Sequence, residues 1–91
     1  MQWKLFATLA ETADSEVTVD VDGETTLRDA LDALVDAHPD LEPELFDDSG
    51  DLHEHVRLLH DGRDPFSEEG GWETPVAEGD ELAAFPPVSG G

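Results

Sequence analysis

Residues 16–39 have the sequence EVTVDVDGETTLRDALDALVDAHP, in which a strand pattern is followed by a helix pattern. In residues 16–22, valines alternate with Glu, Thr and Asp. This period of two is typical of a strand that buries one face. Asp22-Gly23 indicates a turn directly after that strand.

The helix pattern begins at Thr26, which can serve as the N-cap with Asp29 three residues further on. The apolar residues that recur on one helical face are Leu27, Leu31, Leu34 and Val35. Because a proline disfavours helical geometry at the residue before it, His38-Pro39 is predicted to end the helix.

On the N-terminal side of this stretch, residues 2–9 carry apolar side chains at every second position. They predict another strand. The link from Glu11 to Ser15 is short and polar. The two strands are therefore predicted to form a hairpin.

On the C-terminal side, residues 55–60 predict a third strand with Val56 and Leu58 on one face. Asp61-Gly62 is a hairpin signal and predicts a short fourth strand after it. Residues 64–74 contain proline and glycine and are predicted to form a loop.

The last strand is predicted over Glu81–Phe85, where Pro86 ends it because proline has no N–H to give a central ladder. The order is strand, strand, helix, strand, short strand, strand. It predicts an α+β domain of β-grasp (ubiquitin-like) type, a mixed sheet of four or five strands packed on one main helix. We assign residues 1–85 to this domain and residues 86–91 to a flexible tail.

The tail has the sequence Pro86-Pro87-Val88-Ser89-Gly90-Gly91. Two prolines stiffen its base, and the two glycines have no Cβ to obstruct passage through a narrow channel. A terminal carboxylate is a poor electrophile until ATP converts it to an acyl-adenylate, after which sulfur or a lysine amine can attack its carbonyl carbon. The simpler alternative is a frayed chain end.

The composition narrows the choice of partners and source. The chain has 24 acidic residues against 4 Lys and Arg, a formal net charge of -20. Such a surface repels phosphates and anionic headgroups, so neither nucleic acid nor membrane is an expected partner. A halophilic source is predicted because concentrated salt screens the self-repulsion. An ordinary acidic domain is the alternative.

The absence of cysteine excludes disulfides, a catalytic thiol and the iron–sulfur cluster of an electron carrier. Any sulfur chemistry must then use a sulfur atom that another molecule supplies. No nucleophile with a paired base stands out, so no catalytic residue is predicted. The start of the chain lacks the apolar stretch of a signal peptide, and we expect a cytoplasmic protein.

Several weaker signals in the sequence also have structural explanations. His53 and His55, with Asp51 or Asp61, could form a metal site, but the pattern lacks a second ligand pair, so no metal is predicted. His38 and His60 are expected to be structural or exposed. Trp72 could contact a partner with Phe66, although folding back over the core is favoured. The acidic loop 47–51 lacks the spaced ligands of a calcium loop and is expected to be solvated.

The chain resembles a known family at both ends. Residues 78–91, EGDELAAFPPVSGG, look like the end of the molybdopterin synthase small subunit, and residues 1–7, MQWKLFA, resemble the small archaeal modifier proteins. The tail differs from ubiquitin in carrying Val88-Ser89 where ubiquitin has Leu-Arg, and residues 64–74 look like an insertion of unknown purpose.

The resemblance implies a modifier and sulfur carrier that an E1-like enzyme adenylates with ATP, no cofactor being bound by the chain itself. Gly91 would bear the adenylate, thiocarboxylate or isopeptide, and Gly90 would share the access channel. Partners would be the E1-like enzyme, target proteins through their lysines, and the molybdopterin synthase large subunit. Lys4, the only lysine, is the possible isopeptide acceptor within the chain.

Fold alone does not decide function. The alternative from another class is a non-covalent interaction domain of β-grasp fold, whose C-terminus would be inert.

Overall fold

The computed structural model describes residues 1–20, 25–54 and 56–86. The strands in this part of the chain are β1 (Gln2–Leu5), β2 (Glu16–Thr18), β3 (Thr25–Thr26), β4 (Arg57–His60), β5 (Pro75–Val76) and β6 (Glu81–Phe85). The α-helices are α1 (Thr8–Thr12), α2 (Leu27–Ala37), α3 (Glu42–Leu45) and α4 (Pro65–Glu68). Short 3-10 turns cover Pro39–Leu41 and Gly71–Glu73.

The main sheet has four strands in the order β2-β1-β6-β4. Its two central strands, β1 and β6, run parallel, whereas both outer pairs are antiparallel. One face of this sheet packs on α2, and that interface forms the core. The mixed sheet on one main helix confirms the predicted β-grasp fold. A separate two-stranded ladder joins β3 to β5.

The helix α2 forms for the reasons that its sequence suggests. The Thr26 hydroxyl oxygen accepts a hydrogen bond from the Asp29 backbone N–H at 3.3 Å, which is the predicted N-cap. The helix ends at Ala37 with His38 as its C-cap. Its fully buried residues are Leu27, Ala30, Leu31 and Leu34, whereas Val35 is only partly buried. The Trp3 indole N–H donates to the Ala30 carbonyl at 3.1 Å and so joins β1 to α2.

The strand predicted over residues 2–9 is too long. It ends at Leu5, and Ala7 takes a positive φ of 52° that an extended strand cannot hold. The chain then turns into α1, whose Leu9 is still fully buried. The period-two pattern therefore continues beyond the end of the strand, because Leu9 falls at an alternate position and is buried in the core although it lies in α1.

The hairpin predicted at Asp61-Gly62 forms only its turn. Both residues have positive φ, and His60 and Arg63 exchange backbone hydrogen bonds of 2.8 and 2.9 Å. The expected fourth strand does not follow, because Asp64 caps α4 by accepting from the Phe66 N–H at 2.9 Å. Proline at the first helical position favours that start.

The segment predicted as a loop, residues 64–74, contains α4 and a 3-10 turn and leads into β5, which was not predicted. The third strand begins at Arg57, two residues later than expected, and His55 lies outside the described residues. Val56 and Leu58 are both buried, as their spacing predicts. The last strand covers Glu81–Phe85 as predicted.

Candidate functional site at the end of the last strand

The last strand, β6, is held between two neighbouring strands. Residues 81–84 pair with β1 on one side, and residues 82–85 pair with β4 on the other. Leu82 and Ala84 are fully buried against the core. The described chain ends one residue later, at Pro86, and Gly90 and Gly91 lie outside the described residues. This strand is thus a firmly held base for the tail that is predicted over residues 86–91.

The outer face of the sheet beside this base carries an aromatic stack. The rings of Phe6 and Phe85 lie 4.4 Å apart, centroid to centroid, and are nearly parallel at 8°. Phe6 remains 41% exposed, one of the two most exposed large apolar side chains among the described residues. Ala83 and Leu59 are opposite each other in the next row of this face. We call the set of outward-facing residues at this end of the sheet the exit face: Lys4, Phe6, Arg57, Leu59, Ala83 and Phe85.

Two of the four basic residues in the chain, Lys4 and Arg57, belong to the exit face. Arg57 is opposite Phe85 in the register of β4 and β6. Lys4 is opposite Glu16 in the register of β1 and β2 and is paired with Glu81, so these two positive and two negative charges balance, whereas the whole chain has a net charge of -20. A partner that approaches here meets less charge repulsion than elsewhere.

Lys4 lies where the alternation of β1 predicts it. Its neighbours Trp3 and Leu5 are buried, and its own side chain is 39% exposed. The ammonium nitrogen lies 3.2 Å from a carboxylate oxygen of Glu81, which is itself 54% exposed. Because water screens both groups, this ion pair contributes little stability and leaves the amine accessible.

A buried histidine, His60, holds the start of β6 in place through its side chain. Asp80, directly before the strand, lies 2.7 Å from Nε2 of His60, and the Glu69 carboxylate lies 2.9 Å from Nδ1. Burial alone would lower the pKa of His60, but the hydrogen bonds to Asp80 and Glu69 and the charge of Asp61 outweigh it, so the pKa is raised above 6.5. The hydrogen bond from His60 lowers the pKa of Asp80. When the ring is protonated, it donates a hydrogen bond to each carboxylate. His60 thereby joins β4 to the segment after α4 and to the start of β6.

This arrangement predicts a loss of stability as pH rises. A raised folded-state pKa means that His60 contributes fully below the unfolded value of about 6.5 and ceases to contribute once pH passes the folded value. Because a neutral ring can donate only one of the two hydrogen bonds, we expect a loss of about 1.5–3 kcal/mol. Unfolding curves in molar salt with a chelator, from about pH 5 to about pH 8, measure it.

The matched control for this pH series is His60→Gln, which removes this ring and leaves every other ionisable group in place. The difference in unfolding free energy between wild type and variant should be large at low pH and shrink as pH rises. A difference that stayed constant across the series would show that the His60 proton does not carry the stabilisation.

The weaker signals have structural roles where the structure describes them. His53 bonds to the Pro43 carbonyl oxygen at 3.2 Å through Nε2, and His55, the other histidine of the pair, lies outside the described residues. In the acidic loop, one Asp47 oxygen accepts from two backbone N–H groups within the loop. Trp72 packs partly buried against the core and meets the Phe66 ring edge-on at 5.1 Å, as favoured.

Two parts of the site were not predicted from the sequence. His60 is structural, which agrees with one of the two expectations, but its partners Glu69 and Asp80 are distant in the chain and were not predicted. The stack of Phe6 on Phe85 was also missed, although Phe85 lies at an outward position of β6 in the same alternation that buries Leu82 and Ala84.

Comparisons with known proteins place the chain. A model of the ThiS family matches residues 3–91. The chain belongs to the ThiS family. A relative from Haloferax volcanii, small archaeal modifier protein 1, is 55% identical over the whole length of both chains.

Solved structures of ThiS-like modifiers agree with this assignment. The crystal structure of small archaeal modifier protein 1 from Haloferax volcanii has a TM-score of 0.88 at 53% identity, covering 100% of this chain and 98% of that one. The solution structure of small archaeal modifier protein 1 from Methanosarcina acetivorans has a TM-score of 0.83 at 30% identity, covering 99% and 94%.

Membership in the ThiS family confirms the resemblance seen at the two ends of the sequence. This ThiS-family chain is a ubiquitin-like modifier and sulfur carrier, and its Haloferax volcanii relative is named as a small archaeal modifier protein. A halophilic source agrees with the Haloferax relative. Over the parts of the chain that the structure describes, no helix is long and apolar enough to cross a membrane.

Proposed function

We propose that this protein acts as the substrate of an E1-like enzyme, which uses ATP to adenylate the carboxylate of Gly91. Attack by sulfur would then yield a thiocarboxylate for molybdopterin or tRNA thiolation, and attack by a lysine amine would yield an isopeptide bond. In both cases the acyl carbon exchanges AMP for the nucleophile. The observation that carries the proposal is the central position of β6, which pairs with β1 and β4 and ends where the predicted tail begins.

The division into a folded part, residues 1–85, and a tail, residues 86–91, suits this chemistry. Six extended residues reach at most about 20 Å, enough to enter the active site of a separate enzyme while the domain stays outside. A rigid base improves such delivery because it lowers the conformational entropy lost on binding. Since ATP and the activating enzyme are required, we propose the cytoplasm as the compartment.

The exit face is the proposed docking surface for the E1-like enzyme and for the molybdopterin synthase large subunit. Its exposed Phe6 offers apolar area, and Lys4 and Arg57 supply positive charge next to the tail. The nucleotide would be bound by the enzyme, because a chain of net charge -20 repels phosphates. The chain itself would hold no cofactor for this acyl-transfer chemistry.

The activation step can be tested together with the role of Lys4. With purified E1-like enzyme and ATP, the wild-type chain should release pyrophosphate in proportion to the chain added. Lys4→Arg is the matched variant, because it keeps the positive charge and removes the only side-chain amine. We expect equal activation and equal attachment to other proteins in both, since Gly91 is unchanged.

Chains linked through Lys4 should be minor products, because the residue lies within strand β1, whose backbone is held in the sheet, and loops usually make better acceptors. A digest rich in peptides branched at Lys4, or loss of all conjugates in Lys4→Arg, would contradict this role. Failure of the wild-type chain to stimulate pyrophosphate release would favour the non-covalent interaction domain with an inert C-terminus.

A further inference from the structure

Three side-chain atoms that could bind a metal ion lie close together beside the start of β6. They are Nε2 of His60 and one carboxylate oxygen each of Asp61 and Asp80, and all lie within 4.8 Å of one another. The distances from Nε2 are 2.7 Å to Asp80 and 3.6 Å to Asp61. The histidine side chain is only 10% exposed, whereas that of Asp61 is 52% exposed, so the cluster opens to solvent on one side.

The groups around these atoms hold them in place. Nδ1 of His60 lies 2.9 Å from the Glu69 carboxylate, an arrangement that orients the ring and leaves Nε2 to face the two aspartates. The second oxygen of Asp61 accepts from the Glu81 N–H at 2.8 Å, and Asp80 accepts from the Ala77 N–H at 2.9 Å. Carboxylate–histidine pairs of this kind support bound metals in many proteins.

Charge balance also favours a cation here. The carboxylates of Asp61, Glu69 and Asp80 surround one imidazole. Even a protonated ring supplies one positive charge against three negative ones. A divalent cation at Nε2 would neutralise more of this charge than the proton does.

We propose that His60, Asp61 and Asp80 form a binding site for a divalent transition metal of the zinc class. Glu69 would not bind the metal but would accept the hydrogen bond from Nδ1 of His60. Ligands about 2.0–2.2 Å from a tetrahedral zinc lie about 3.3–3.6 Å apart, so the observed distances need only small side-chain rotations. On binding, the Nε2 proton leaves to solvent and the nitrogen lone pair binds the metal. Water completes the open side. Imidazole favours zinc, copper or nickel over magnesium and calcium.

A metal at this site would hold the segment after α4 against the start of β6. In the metal-free form, the hydrogen bonds of His60 described above make the same connection. The proposal does not depend on the chemistry at Gly91. Its expected consequence is a rise in melting temperature on addition of metal, because only the folded chain brings residues 60, 61 and 80 together.

Calorimetric titration of the full chain with ZnCl₂ tests the proposal. Molar KCl and excess MgCl₂ should be present, because they suppress binding to the acidic surface through oxygen atoms alone. We expect one zinc per chain. His60→Gln and Asp61→Asn should each weaken binding at least about tenfold. Asp61→Asn keeps an oxygen for the Glu81 N–H and leaves the fold intact, which circular dichroism checks.

Matched controls use the other histidines. His38→Gln and His53→Gln should bind zinc as tightly as wild type. A nitrogen-15 spectrum should place the metal on Nε2 of His60 with Nδ1 still protonated. Equal zinc affinity in wild type, His60→Gln and Asp61→Asn would overturn the site, as would loss of binding in His53→Gln alone or absence of saturable binding to wild type.

Discussion

Removal of Gly90 and Gly91 should abolish covalent attachment and sulfur loading while the fold remains intact. The carbonyl carbon of Gly91 is the proposed electrophile, so the truncated chain would present a serine carboxylate in a tail shortened by two residues. Among the described residues, the core lies between Met1 and Ala84, so we expect the deletion to leave the core in place. We expect adduct formation to fall below detection and the melting temperature to stay unchanged.

The measurement compares adducts of wild type and truncated chain in cells, by mass spectrometry and immunoblot, with circular dichroism as the check on folding. Ser89→Ala is the matched control because it changes the tail without shortening it. Adducts formed by the truncated chain would show that Gly91 is not the reactive residue. Loss of adducts with loss of fold would show instead that the tail supports the domain.

The second large effect concerns salt. The formal net charge of -20 on 91 residues should loosen the domain in dilute buffer, since the acidic side chains repel one another. At about 1 M salt the Debye length is about 3 Å and this repulsion is largely screened. We expect circular dichroism to show a poorly folded chain at low salt and a melting temperature that rises steadily with KCl.

A variant that carries less charge separates screening from other effects of salt. Asp48→Lys, Glu54→Lys and Glu78→Lys combined change three exposed residues outside helices and strands. The triple variant should reach the same melting temperature at lower KCl. If neither protein responded to salt, the interpretation of the charge as an adaptation to salt would be wrong, and the modifier function would stand.

The sequence pattern correctly predicts the elements that are determined by residues close together in the chain. The N-cap Thr26 and the last strand, Glu81–Phe85, appear where the sequence places them. The first strand was predicted too long, because the buried Leu9 fits a period of two even though it lies in α1. The pairing of Pro75 and Val76 with β3 depends on tertiary approach and has no local signal.

The candidate site shows the same limit. The sequence identifies the Gly-Gly end and the outward direction of Lys4, since both follow from order and alternation. The joining of His60 to Glu69 and Asp80 across 9 and 20 residues requires the turn at Asp61-Gly62 and the helix α4. Only the folded chain shows that this histidine has two carboxylate partners.

The most direct test of the central claim is the mass of the C-terminal peptide from protein purified out of its native cells. Trypsin cuts last at Arg63, so the free peptide covers residues 64–91 and the same segment would remain as a branch on modified lysines. The account predicts either a sulfur-for-oxygen mass gain at Gly91 or this branch on lysines of other proteins. An unmodified Gly91 carboxylate in every copy, with no branched peptide from any protein, would contradict it.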